Sequence, residues 1–362
     1  MSRFTQLHLL TSYPPSNPNR DDLGRPKTAW MGGASRLRIS SQSLKRAWRT
    51  SEVFESSLGT YRGVRTKRLG REVYDTLTQA GVAPEQALEW SRSVAGQFGK
   101  VKGAKVPKLK KGDERTEQQL LDLLDIEQLA HLSVEEREGV AQLTSLLAAE
   151  QRGPSVDELN LLRHPRATVD VALFGRMLAA DPLYNVEAAC QVAHAISVHP
   201  VVVEDDYFTA VDDLNTGETD RGAAHIGEAG FAAALFYSYV CIDREQLTDN
   251  LGGNRDLAGK TVGALIEAAA TVAPSGKQNS FANRVRASYA LAERGDQQPR
   301  SLSVAFLKPI ERGDYGTAAV GALETARDRI DQVYGACADT SYSFNTFDGT
   351  GTLADLLAFV RE

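Results

Sequence analysis

Apolar positions recur along this chain with two periods, and the alternation between them predicts its layout. Phe4 to Thr11 has the β-branched and apolar content of a strand, closed by the Pro14-Pro15 pair as a turn. Residues 17–33, rich in Asn, Pro and Gly, read as a polar loop. In RLRISSQSLKRAWR, residues 36–49, Arg36 to Ile39 alternate as a strand does and Ser40 and Ser41 offer capping oxygens. Gln42 to Arg49 then has helical spacing, with Leu44, Ala47 and Trp48 on one face. From 51 to 164 the period is helical, without convincing strands. Val73, Leu77 and Ala80 mark one predicted helix, Leu120, Leu121, Leu124, Ile126 and Leu129 a second, and Val140, Leu143, Leu146 and Leu147 a third. Strand spacing resumes at Ala167 to Leu173, and a helix capped by Asn185 is expected over Val186 to Val198. Residues 200–230 place apolar pairs on either side of a polar, glycine-bearing tip, the pattern of a long hairpin or arm. Phe231 to Ile242 is the strongest strand signal, Asp256 to Val272 an amphipathic helix and Ser301 to Leu307 a last core strand, with helices at 314–334 and 352–361. The order predicts an α+β sandwich, an antiparallel sheet with helices on one face, interrupted by a helical insertion over 51–164.

Charge adds a polarity that periodicity does not show. Residues 1–50 carry nine Lys and Arg against two acids and residues 51–111 twelve against six, so the first 111 residues stand near +13 while the whole chain is −6. A basic face near the N-terminus and acidic surface elsewhere, available to neighbouring subunits, are expected. Within residues 36–49, Arg36, Arg38, Lys45, Arg46 and Arg49 occur with no acid, and Lys45 and Arg49 share a helix face. Free N–H groups at a helix start, serine hydroxyls and a row of cations suit a polyanion backbone; an ordinary solvated basic face has the same composition. Arg20, Arg25 and Lys27 in the preceding loop extend the same surface. Lys100 to Lys111, with six lysines and no acid, is either a solubilising loop or a nucleic-acid contact. On the arm, Tyr207, Phe208 and Leu214 need a partner if exposed.

The length of 362 residues allows two or three domains. Cys190, Cys241 and Cys337 lie far apart with no histidine at ligand spacing, so neither a disulfide framework nor a zinc site is expected. The N-terminal segment lacks an apolar signal region and no run is long enough to span a bilayer, which makes a cytoplasmic protein with no membrane partner the expectation. No phosphate-cradling GxxxxGK[ST], GxSxG or HExxH motif is present, and the six histidines, His194 among them, are scattered. Asp21 and Asp22 suggest metal-assisted phosphodiester cleavage, against which stands a turn role with Arg20 or Arg25, since no third acid lies nearby. The expectation is a protein without catalytic residues, cofactor or metal.

NRDD at 19–22, Lys27, GG at 32–33 and RISSQSLKRA at 38–47 resemble the backbone subunit of the type I-E CRISPR surveillance complex Cascade, the CasC family. VDVALFGRM at 169–177, AHAI at 193–196, YFTAVDDL at 207–214, AAHIG at 223–227 and NLGG at 250–253 follow in that family's order and spacing. The resemblance implies a hand-like chain. Its ferredoxin-like, RNA-recognition-type palm would comprise 1–50, 165–200 and 229–362, its helical fingers insertion 51–164, and its thumb hairpin 201–228. It implies a non-enzymatic subunit that binds CRISPR guide RNA with further copies of itself and other Cascade subunits, and meets target DNA through the guide. Carried over by position, Ser40, Gln42, Lys45, Arg46 and Arg49 would touch RNA phosphates with Arg20 and Lys27, while Met177, Tyr207, Phe208 and Leu214 would wedge against bases. Phosphate contacts and apolar wedges ignore sequence, as a subunit accepting any guide must. The fingers show little similarity, so the lysine loop inherits no role, and the sheet lacks the RNA-recognition aromatics as a motif. Related backbone subunits of type III complexes cut target RNA with an aspartate in an N-terminal loop, which keeps a metal-dependent ribonuclease acting through Asp21 or Asp22 as the rival reading.

Overall fold

The long apolar run that ends at Ile242 becomes the spine of the molecule. In the computed structural model, which describes residues 2–103, 116–164, 166–178, 181–210, 225–311 and 313–362, the chain divides into two units. One comprises 1–57, 190–245 and 256–362, the other 58–189 and 246–255. The strands in chain order are β1 (Phe4–Ser16), β2 (Thr28–Met31), β3 (Ala34–Ile39), β4 (Val64–Thr66), β5 (Ala130–Leu132), β6 (Cys190–Val192), β7 (Ala195–Ser197), β8 (Glu204–Ala210), β9 (His225–Asp243), β10 (Ala287–Gly295) and β11 (Thr340–Asn345). The first unit holds a large antiparallel sheet in the order β11-β10-β1-β9-β7-β3-β2, with β6 and β8 also pairing β9, so the fold is mixed α/β. β1 lies between β9 and β10, with Phe4 opposite Asp243 and Gly295 and Leu10 opposite Tyr237 and Tyr289.

Helices cover both faces of this sheet rather than the one face expected. The pleat sends Leu10, Leu235, Tyr237 and Tyr289 into a cluster with Ala319, Val320 and Leu323 of the helix Tyr315–Tyr334. The alternate residues Leu9 and Phe236 line a small cavity with Leu44 and Trp48 of α1 (Ser41–Arg49) and Ala269 and Ala270 of the helix Arg255–Thr271. Both faces being buried explains why the strands read as apolar runs rather than clean alternation.

Several expected elements change under tertiary pairing. β1 runs past Pro14 and Pro15, which lack N–H donors, by shifting register between Tyr13 and Ser16. The loop 17–33 contains β2, which pairs with β3 at the end of the sheet. The helix expected over Val186 to Val198 is instead β6 and β7, because these residues find ladder partners on β9 and β3 that outweigh the helical propensity of their alanines. The strand expected at Ser301 to Leu307 is a 3-10 turn, Ser303–Phe306, whose Phe306 fills the core, and the last core strand is β10 instead.

The second unit has its own core, in which Leu69, Val73, Leu77, Trp90, Val94, Ile126, Leu143 and Leu147 pack together. It carries the helices expected near Val73, Leu124 and Leu143, a further helix Pro84–Ala95, and the short β4–β5 pair that helical spacing did not reveal. Ala167 to Leu173, expected as a strand, is the helix Val169–Phe174, with Val169 to Leu173 buried. Its Asp170 accepts hydrogen bonds from the Gly63 N–H at 2.7 Å and pairs with His131 Nε2 at 3.0 Å, so a polar residue in an apparent alternation points inward. Among the described residues no helix is long and apolar enough to cross a membrane.

Candidate nucleic-acid interface

The opening of α1 is built as the serines predicted. Ser40 is extended (φ −69°, ψ 145°) and its hydroxyl accepts from the Ser43 N–H at 3.4 Å. Leu44 and Trp48 are buried, which turns Gln42 and Arg46 outward and leaves Lys45 and Arg49 half-buried along the flank. Arg46 and Arg49 also sit in the last turn, where cations oppose the carbonyl end of the helix dipole. Not every cation of the stretch joins this face. Arg36 is fully buried, donating to the carbonyls of Ser197 at 2.7 Å and Phe306 at 2.9 Å, so it is a core strut.

Asn19 brings the preceding loop to this helix. Its Oδ1 accepts from the Ser40 N–H at 2.8 Å and its carbonyl accepts from the Lys27 N–H at 3.0 Å, while Lys27 O accepts from the Arg38 N–H at 2.8 Å. Arg20 and Lys27 are thereby tied to the start of α1, and Arg20 is exposed. The Asp21 carboxylate accepts from the N–H groups of Leu23 at 3.0 Å and Arg25 at 2.8 Å, a turn role. Among the described residues no group of three or more metal-binding side chains occurs.

Two contributions were not visible in the sequence. Arg38 Nη1 lies 3.0 Å from His194 Nδ1, and burial followed by the charges of Arg38 and Lys27 pushes the His194 imidazole below its ordinary pKa. A neutral ring accepts from Arg38 and fixes a further cation beside Lys27. The segment 273–286 packs against the loop, since a Cβ at Gly276 would collide with the Pro18 carbonyl. Lys277 (φ 52°) and Ala282 (φ 48°) both adopt the left-handed conformation that side-chain-bearing residues avoid. A cavity of about 500 Å³ lies between this segment and the end of α1, lined by Ala47, Thr50, Ser51, Gln278 and Arg284 among others, and Gln278 Nε2 is buried with no hydrogen-bond partner among the described residues. Only the tertiary packing of two distant segments could have placed Arg284 beside the end of α1.

The other expected contacts divide. Tyr207 and Phe208 are exposed (66% and 43%) on β8, which pairs with β9 from Glu204 opposite Phe231 to Ala210 opposite His225. Phe208 lies over Gly227, where any Cβ would strike the ring. Leu214 lies outside the described residues. Met177 is 84% exposed and belongs to the second unit, so it does not join the residues around α1 within one unit. Of the lysine loop, Lys100 is paired with Glu127 at 2.9 Å and Lys102 lies 3.7 Å from Asp125, and the other four lysines fall outside the described residues.

The arrangement thus presents a capped helix start, hydroxyls and several cations on one face, with aromatic side chains exposed on a neighbouring hairpin of the same unit. The family model described as CT1975-like protein matches residues 5–355. Among solved structures, a chain described as "CRISPR RNA-guided surveillance complex, pre-nicking" superposes with a TM-score of 0.81 and 31% identity, covering 99% of each chain. A second, described as "CRISPR RNA-guided surveillance complex", gives 0.59 and 25% identity over 99% of this chain and 98% of that one. No curated protein matches the chain.

Proposed function

The chain belongs to the CT1975-like family, and from that premise we propose that it is the guide-RNA-binding backbone subunit of a type I-E Cascade complex. Copies would line up along a CRISPR RNA, with other Cascade subunits alongside, and leave the guide bases free to pair with target DNA. In this reading the antiparallel sheet serves as a ferredoxin-like palm, 51–164 as fingers and 201–228 as thumb, and the assembly works in the cytoplasm. The observation that carries it is the Asn19–Ser40 bond of 2.8 Å, which joins the loop that bears Arg20 and Lys27 to the start of the capped basic helix. Ser40, Gln42, Lys45, Arg46 and Arg49 grip phosphates with Arg20 and Lys27, and Tyr207 and Phe208 stack on bases. Such a grip is blind to sequence.

We take the subunit to be non-catalytic, a reading supported by the engagement of Asp21 in its own turn. The deciding experiment is filter binding of several unrelated guides from 50 to 400 mM salt. Lys45→Ala with Arg49→Ala should weaken all guides alike and flatten the log–log salt slope by about 0.7 for each phosphate no longer neutralised. An unchanged slope would remove α1 from the interface. Mg²⁺-dependent cutting of a guide-paired RNA that disappears in Asp22→Ala would replace the binding role with a ribonuclease.

A further inference from the structure

Three parts of the first unit meet at one buried residue. Asn17 is only 1% exposed, and its Nδ2 donates to two carbonyls, Gly24 in the basic loop and Gly230 at the base of the β8–β9 hairpin, each at 2.9 Å. Its own backbone and that of Pro18 press against Gly276, where no Cβ would fit. Nearby, Arg25 Nη2 of the same loop stands 2.9 Å from Asp205 on β8. Gly230 in turn faces Pro26, which a Cβ there would approach to 3.1 Å. The loop that carries Arg20 and Lys27 is therefore fastened to the hairpin that carries Tyr207 and Phe208 by two independent links, one buried and one at the surface.

We propose that Asn17 and the Arg25–Asp205 pair are positioning residues that fix the direction of the hairpin relative to the phosphate grip, and so set how many nucleotides each copy covers. This rests on the RNA-backbone reading above. The physical ground is that an isolated two-stranded hairpin has little rigidity of its own. β8 is exposed at every residue, so no core holds it in place. β9 carries one strand of the hairpin unbroken into the central sheet, and the bonds at the base that add to its direction, from Asn17 and Arg25, run to the loop that also joins the start of α1 through Asn19. Occupation of the loop by a phosphate backbone then stiffens the hairpin, and a copy already on RNA offers the next copy an arm in a set direction. Order imposed by one ligand lowers the cost of the next binding event, which is positive cooperativity.

Native mass measurements on guides of increasing length, with nuclease protection of the same samples, test this directly. Asn17→Ala and Asp205→Arg should each lower the cooperativity of successive binding by about tenfold, a loss of ~1.4 kcal/mol, and make the protected length per copy uneven. The salt slope of Asn17→Ala should stay that of the unaltered protein, because no charge changes and the grip is intact. Exchange of the pair, Arg25→Asp with Asp205→Arg, should restore even spacing. That rescue stands whether or not Asn17→Ala folds, since the pair is at the surface. Even spacing and full cooperativity in Asp205→Arg, or failure of the exchanged pair to rescue, overturns the proposal. Loss of the salt slope in the unaltered protein would instead sink the RNA-backbone reading.

Discussion

Trp48, Arg36 and Ser40 lie within thirteen residues and play three different parts. Trp48 is 1% exposed against the sheet, so Trp48→Ala should cost about 3–5 kcal/mol in urea unfolding, the range for an emptied aromatic site. Arg36 holds two carbonyls inside the protein, and Arg36→Met should destabilise by several times the ~1 kcal/mol of one ordinary hydrogen bond while leaving the RNA salt slope unchanged. A lowered slope in a still-folded Arg36→Met would contradict its role as a strut. Ser40→Ala should cost about 1 kcal/mol of stability through the lost cap. The sequence did not distinguish Arg36 from Arg38: the two are two apart in the same alternating strand, and only the position of Ser197 and Phe306 makes the first a core residue.

The elements show where local pattern suffices. α1 forms where its serine cap and its apolar spacing place it, because capping and the period of 3.6 are local properties. β2–β3 is less obvious, since its strand residues are mixed, yet its turn is set by Gly32 (φ 61°) and Gly33 (φ 75°). A Cβ at Gly32 would collide with the Leu307 carbonyl, so Gly32→Ala carries both a strained dihedral and a clash. It should lower stability by more than Gly33→Ala, whose Cβ would meet open space. Equal thermal shifts for the two would show that the dihedral alone matters. β6 and β7 mark the opposite case, in which residues of helical character become strands because hydrogen-bond partners wait on β9.

At the scale of the whole molecule the first unit encloses a buried polar chain at the sheet centre. His8 lies 2.9 Å from the Tyr237 hydroxyl and 3.1 Å from Glu293, whose carboxylate is gripped by Arg300 at 2.5 Å. Burial opposes ionisation of Glu293, but the bonds from His8 and Arg300 prevail and hold its pKa at about 2, below the ordinary 4.5. Burial, outweighing the Glu293 bond, keeps His8 below its ordinary 6.5. Both groups bind protons more weakly folded than unfolded, so both contribute stability above those ordinary values and lose it on acidification. The urea midpoint should decline once the pH passes below 6.5 and fall further from 4.5 towards 2. Glu293→Gln should make the lower part of that decline shallower, and a midpoint that rises on acidification would refute the assignment.

The sequence by itself determined the capped basic helix, the most apolar strand, the C-terminal helices and the N-terminal excess of cations. Each of these depends on neighbours three or four positions away, or on composition. Tertiary structure alone decided which cations stay on the surface, that helices lie on both faces of the sheet, and that residues 17, 25, 205 and 230 meet at one joint. Those outcomes depend on which distant segments pair, a matter of register and burial that no local window contains.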